Sequence, residues 1–158
     1  MGPKVMNIEM DVLCDTILHV QEVSCGLEKI ASEIRQRGFS HDLTKFQDPE
    51  FSAFVSTRDR FKKANYGTPE YEMLTKEIKP AIDHHYSCNR HHTAFHSDGI
   101  NDMTLIDILE MLADWHAAER RSPDKKLIDV WAYAKKKYGI NEQLGKIILN
   151  TLESMGWI

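Results

Sequence analysis

The sequence predicts an all-α protein, a single-domain helical bundle of about six or seven helices over 1–158. Three observations carry this. Apolar residues recur at helical spacing in segment after segment, no segment alternates with period two, and the breaks between segments carry cap-and-proline or glycine signals. At 158 residues the chain has the length of one domain and can bury most of its apolar surface.

The first helix is expected over 7–37. Leu13, Ile17, Val20, Leu27, Ala31 and Ile34 form one row, and Val12, His19, Val23, Gly26 and Ile30 run beside it. Both rows share one broad face, so His19 is expected to point inward, with Gly38 as C-cap. Ser40 is a candidate cap for a short turn, His41-Asp42-Leu43-Thr44-Lys45-Phe46. Asp48-Pro49-Glu50 reads as N-cap followed by proline at the first helical position, with Phe51, Phe54, Val55 and Phe61 as the apolar face. Asn65-Tyr66-Gly67 ends that helix. Thr68-Pro69-Glu70 opens the next, which runs to about Asn89 with a break near Lys79 caused by Pro80.

A polar loop with an Asp98-Gly99 turn covers 90–101. The helix over 103–121 is the most apolar, with eleven apolar residues among the sixteen from 103 to 118, which makes it central. Ser122-Pro123-Asp124 breaks the chain. Leu127, Val130, Trp131, Ala134 and Tyr138 mark a helix ended by Gly139, and Leu144, Ile147, Ile148, Leu152 and Met155 mark the last.

Composition narrows function. With 42% hydrophobic and 28% charged residues, the chain is too apolar to be disordered. Twenty basic against 24 acidic residues give a net charge of −4, so no extended nucleic-acid surface is expected and any phosphate contact must be local. Cys14, Cys25 and Cys88 are odd in number and lack CxxC spacing. That argues against a disulfide framework and for a reducing, cytoplasmic setting. No apolar run is long enough for a membrane span, and the N-terminus lacks a signal-peptide core.

The eight histidines are clustered: His84-His85 and His91-His92 lie within nine residues, and His41-Asp42 is a third dense site. Imidazole supplies neutral nitrogen, and a carboxylate supplies charge and a bridge to a second metal. Adjacent histidines on a helix diverge by about 100°, so a doublet reaches a dinuclear centre more readily than one ion. The plain alternative is a solvated histidine tract. Asp107, Glu110 and Asp114 form an acidic stripe on the central helix, and Asp114, between Ala113 and Trp115, is the best ligand candidate. Glu110 is either a group that orients a ligand or a surface acid, and Asp107 reads equally well as part of the wet face.

Together these residues resemble the HD-domain superfamily of metal-dependent phosphohydrolases. That pattern is a helical histidine, the HD dipeptide, further histidines and a late aspartate, here His19, His41-Asp42, His84-His85 and Asp114. The likeness is closest to the branch with an HD-x-x-K turn, His41-Asp42-Leu43-Thr44-Lys45, and a histidine doublet about thirty residues before the last aspartate. The chain is also similar to a small family of phage and bacterial proteins sharing the HHYxxNRHH and EMLADWxA strings, a likeness that implies no activity. The sequence departs from the HD pattern in the short spacing from His19 to His41 and in having no histidine between Asp42 and His84. His91 or His92 is the candidate replacement. The glycine-tyrosine-proline string of cyclic-dinucleotide phosphodiesterases is absent, so that substrate is not implied.

The resemblance implies one or two divalent transition metals (manganese, iron, cobalt or zinc) among His19, His41, Asp42, His84, His85 and Asp114. Lys45 and Glu110 are the implied catalytic groups, and Lys45, Arg90, His91 and His92 would hold a small phosphorylated substrate, a nucleotide above all. Two other readings stand beside this one. The same ligand set suits a mixed-valent di-iron oxygenase of HD type. A non-catalytic, metal-stabilised interaction protein is the other, with Trp131, Trp157 and the C-terminal helices as a partner or homodimer surface. The location implied is the cytoplasm, that of the host if the protein is phage-encoded.

Overall fold

The computed structural model describes residues 8–65, 67–121 and 126–158. Among them are seven α-helices, three short 3-10 turns and no strand, so the protein is all-α. The chain divides into two compact units, 1–39 and 40–158.

The first unit holds α1 (Ile8–Ser40), a single helix of 33 residues, about 50 Å long at 1.5 Å per residue. None of its residues is buried, and both predicted apolar rows are exposed, His19 with them. Periodicity shows that residues share a face but does not say what covers that face, which is why the inward placement of His19 does not follow. Gly38 does not stop the helix, which continues to Ser40.

In the second unit the chain turns at Asp42, whose φ of 57° puts a non-glycine residue in the left-handed region. Aspartate tolerates that conformation better than most residues. The turn is what lets His41 and Asp42, adjacent in sequence, both aim inward. A 3-10 turn, Leu43–Phe46, follows. α2 (Glu50–Lys63) starts one residue later than the proline signal placed it, with Pro49 at the cap position and Asp48 Oδ1 accepting hydrogen bonds from the backbone N–H and hydroxyl of Ser52. Thr68 caps α3 (Pro69–Glu77) through the Tyr71 N–H. The predicted break near Lys79 is real: α3 ends, Ile78 intervenes and α4 (Lys79–Cys88) begins with Pro80 in its first turn. Helix α2 packs against both α3 and α4.

Residues 90–101 are more ordered than a polar loop would be, with 3-10 turns at Thr93–Phe95 and Gly99–Asp102. α5 (Leu105–Arg121) begins with a reciprocal cap: Asp107 Oδ2 accepts from the Thr104 N–H at 2.9 Å, and Thr104 Oγ1 accepts from the Asp107 N–H at 3.2 Å. The breaker Ser122-Pro123-Asp124 lies outside the described residues. α6 (Leu127–Lys137) is followed by Gly139 with φ 63°, and Asn141 caps α7 (Glu142–Ser154).

The core is built by α5, α6, α7 and the segment entering α5. Met111, Leu112, Leu127, Ile148 and Leu152 are almost wholly buried, and each contributes roughly 1.5–3 kcal/mol. Trp131 lies in this core and Trp157 packs against it, stacked on His116. Among the described residues no helix is long and apolar enough to cross a membrane.

Candidate metal centre

Five parts of the second unit converge on one point. The turn after α1 brings His41 and Asp42, α4 brings His85, the segment after α4 brings His91 and His92, α5 brings Glu110 and Asp114, and α2 brings Glu50. Two sets of donors able to hold a cation meet at Asp42. One is Asp42, His85, His91 and His92; the other is His41, Asp42 and Asp114.

Three imidazoles are held in the same way. His85 Nδ1 lies 2.9 Å from Oε2 of Glu50, which is fully buried. His41 Nδ1 and His91 Nδ1 lie 2.9 and 3.2 Å from Oε1 of Glu110. An ionised carboxylate only accepts, so each Nδ1 carries a proton, and a ring that holds no second proton keeps its lone pair on Nε2. The Asn89 amide is also 3.1 Å from His85 Nδ1. Its two N–H groups, however, already serve Thr44 Oγ1 and the His85 carbonyl.

The three Nε2 atoms face the aspartates. His85 Nε2 is 3.3 Å and His91 Nε2 3.5 Å from Asp42 Oδ1, while His41 Nε2 is 3.4 Å from Asp42 Oδ2 and 3.6 Å from Asp114 Oδ1. His92 Nε2 lies 2.9 Å from His85 Nε2. Asp42 Oδ1 and His91 Nε2 are both buried without a hydrogen-bond partner. Two buried acceptors facing each other unpaired are costly unless something positive sits between them. A carboxylate on the outer nitrogen of each ligating histidine is also the usual support of a metal site.

Burial, followed by the neighbouring imidazoles of His91 and His85, pushes His92 down to about 3, and burial lowers His85 as well. Both are therefore in the neutral form that binds a metal. His41 is raised to about 9 by hydrogen bonding to Asp114 and Glu110. Burial alone would raise Asp42 and Asp114. For Asp42 the Lys45 ammonium, followed by His41 and His85, outweighs it, and for Asp114 His41 does, so both carboxyls stay below their usual range. Lys45 Nζ sits on Asp42 Oδ2.

The predicted residues thus divide. His41, Asp42, His85 and Asp114 come together. His91 and His92 join them as potential ligands, where the sequence favoured a substrate role and held a ligand role as the alternative. His84 belongs to none of these donor sets; its Nδ1 is on Glu50 Oε1 at 2.8 Å and its ring turns to Cys88. Arg90 is committed through Nε and Nη2, at 3.1 and 3.0 Å, to the fully buried Asp107. The burial of Asp107 overturns its wet-face reading. Glu110 orients two histidines. His19 is in none of the donor sets and belongs to the other unit.

Glu50 was missed. In sequence it reads as the acid of a proline-started helix first turn, and its partners lie 34 and 35 positions away. Thr44 and Asn89, which complete the hydrogen bonding around His85, carried no signal either.

Fold and site define the class: an all-α protein with four imidazoles and three carboxylates, those of Asp42, Glu110 and Asp114, gathered as potential metal donors. The chain belongs to the DUF5662 family, a family of unknown function whose model matches residues 8–154. No curated protein and no solved structure matches it.

Proposed function

We propose that this protein is a metal-dependent phosphohydrolase acting on a small phosphoester, with a nucleotide as the favoured substrate. The observation that carries the reading is the shared Asp42. Its Oδ1 faces His85 and His91 and its Oδ2 faces His41, and the Nδ1 of each of these three rings rests on Glu50 or Glu110. Mixed imidazole and carboxylate donors suit manganese, iron, cobalt or zinc. A bound ion of this kind supplies Lewis acidity toward a phosphoryl oxygen and brings the pKa of a bound water toward neutrality.

The chain's own residues have distinct parts. Asp42 and Asp114 supply negative charge, and His41, His85, His91 and His92 supply neutral nitrogen. Glu50 and Glu110 fix the tautomer and direction of the rings. Lys45 has three N–H donors and gives one to Asp42; with its side chain 38% exposed, the others remain for a phosphate oxygen at the rim. That arrangement, together with the HD-x-x-K likeness of the sequence, favours phosphate chemistry.

The test is a panel of nucleotides and simple phosphomonoesters, run on untagged protein loaded in turn with each of the four metals, with and without chelator. Metal-dependent release of phosphate that disappears in Asp42→Ala supports the proposal. Inertness toward the panel with oxygen uptake by the iron form would replace it with the di-iron oxygenase reading. Inertness to both, with metal bound, would leave a metal-stabilised interaction protein.

A further inference from the structure

Glu50 has two carboxylate oxygens, and the metal centre uses one. The other, Oε1, accepts the Nδ1–H of His84 at 2.8 Å, and Glu50 is fully buried. With its proton on Nδ1, the His84 ring carries a lone pair on Nε2. That atom faces Cys88 Sγ at 3.6 Å, one turn further along α4, where residues four apart share a face. Cys88 is exposed. A thiol, an imidazole and a buried carboxylate thus stand in sequence, pointing away from the donor sets at Asp42, none of which includes His84 or Cys88.

We infer that Cys88 is a nucleophilic thiol and a site of thiol–disulfide exchange, with a small disulfide as the ligand it takes. The order of groups is that of an activated nucleophile: the nucleophile, the ring that accepts its hydrogen bond, and the acid that fixes the ring. Ser87 Oγ, 3.8 Å from Sγ, is a second polar neighbour.

In the exchange, the Cys88 sulfur attacks one sulfur of the incoming disulfide. A new S–S bond forms as the old one breaks, and the thiol proton ends on the departing thiolate. One disulfide is consumed and one mixed disulfide is made, so no outside oxidant or reductant is needed. Cys88 is the sole cysteine of the 40–158 sequence. Cys14 and Cys25, both exposed on α1, serve as comparison thiols of the same chain.

The experiment uses three full-length variants that each keep one cysteine, the other two being replaced by serine. Each is treated with excess 2,2′-dithiodipyridine, an uncharged disulfide, at neutral pH. Cys88 is expected to react about tenfold faster than Cys14 or Cys25, with the three rates converging in denaturant. His84→Gln in the Cys88 chain should remove most of that advantage. Glu50→Gln, which keeps one acceptor oxygen, should fall between, and its circular dichroism and a matched Cys14 chain report the fold. If Glu50→Gln does not fold, the half-exposed His84→Gln still decides. A Cys88 rate equal to those of Cys14 and Cys25, or one unchanged by His84→Gln, overturns the inference.

Discussion

Replacing Glu110 by alanine tests how the cluster is held. One oxygen of Glu110 takes the Nδ1–H of both His41 and His91, at 2.9 and 3.2 Å. Its loss frees two rings to rotate and to change tautomer, and leaves the almost wholly buried His91 with a donor to satisfy. Outer carboxylates of this kind are each typically worth 10–100-fold in metal affinity. Two rings released together should cost at least about 100-fold, or about 2.7 kcal/mol. Glu110→Gln keeps an oxygen at the same reach and loses only charge, so a loss of about tenfold is expected. Competition titration against a chromophoric chelator measures both, with circular dichroism reporting the fold. A folded Glu110→Ala that binds zinc or cobalt as tightly as the wild type would refute the orienting role.

Two further outcomes follow from the same geometry. His41, at about 9, holds a proton at neutral pH when no cation is present, and a metal must displace it. Affinity should therefore rise about tenfold per pH unit up to about 9, and calorimetry in buffers of different ionisation enthalpy should show about one proton released at pH 7. The folded pKa lies above the unfolded value of 6.5, so in chelated protein the contribution of His41 to stability is complete below 6.5. It is lost as the pH rises through about 9, which thermal melts would show. Arg90→Ala leaves the buried Asp107 with its Thr104 bonds but without its cation. A buried pair broken from one side costs about 3–5 kcal/mol, which the half-exposed Arg90 and the remaining cap reduce to about 2, read by denaturant unfolding. Metal content should stay; loss of metal would mean that Arg90 acts on the site itself.

The helices were legible because their signals are local. Asp48-Pro49, Thr68-Pro69 and Pro80 each mark a boundary that the backbone obeys, since proline fixes φ and lacks an N–H whatever lies nearby. The gathering of His41, Asp42, His85 and Asp114 was legible from residue type and order. The division of each doublet was not. His84 and His85 differ by about 100° around α4, and the placement of α2, through Glu50, decides which one faces Asp42. His91 looked like part of a polar loop. It is buried because Arg90 is clamped to Asp107 and the His96 ring N–H is bonded to the Arg90 carbonyl at 2.8 Å, contacts made across 17 and six positions. The exposure of His19 shows the same limit on α1: spacing gives a face without giving its neighbour.

The most direct test of the central claim is the metal content of untagged protein, measured by elemental analysis on the wild type and on the Asp42, His84, His85 and His91 alanine variants. The account predicts at least one equivalent of transition metal in the wild type. It predicts loss in Asp42→Ala, His85→Ala and His91→Ala, and retention in His84→Ala. A wild type that holds no metal and takes up none of manganese, iron, cobalt or zinc would contradict it, as would a site that needs His84 and tolerates the loss of His91.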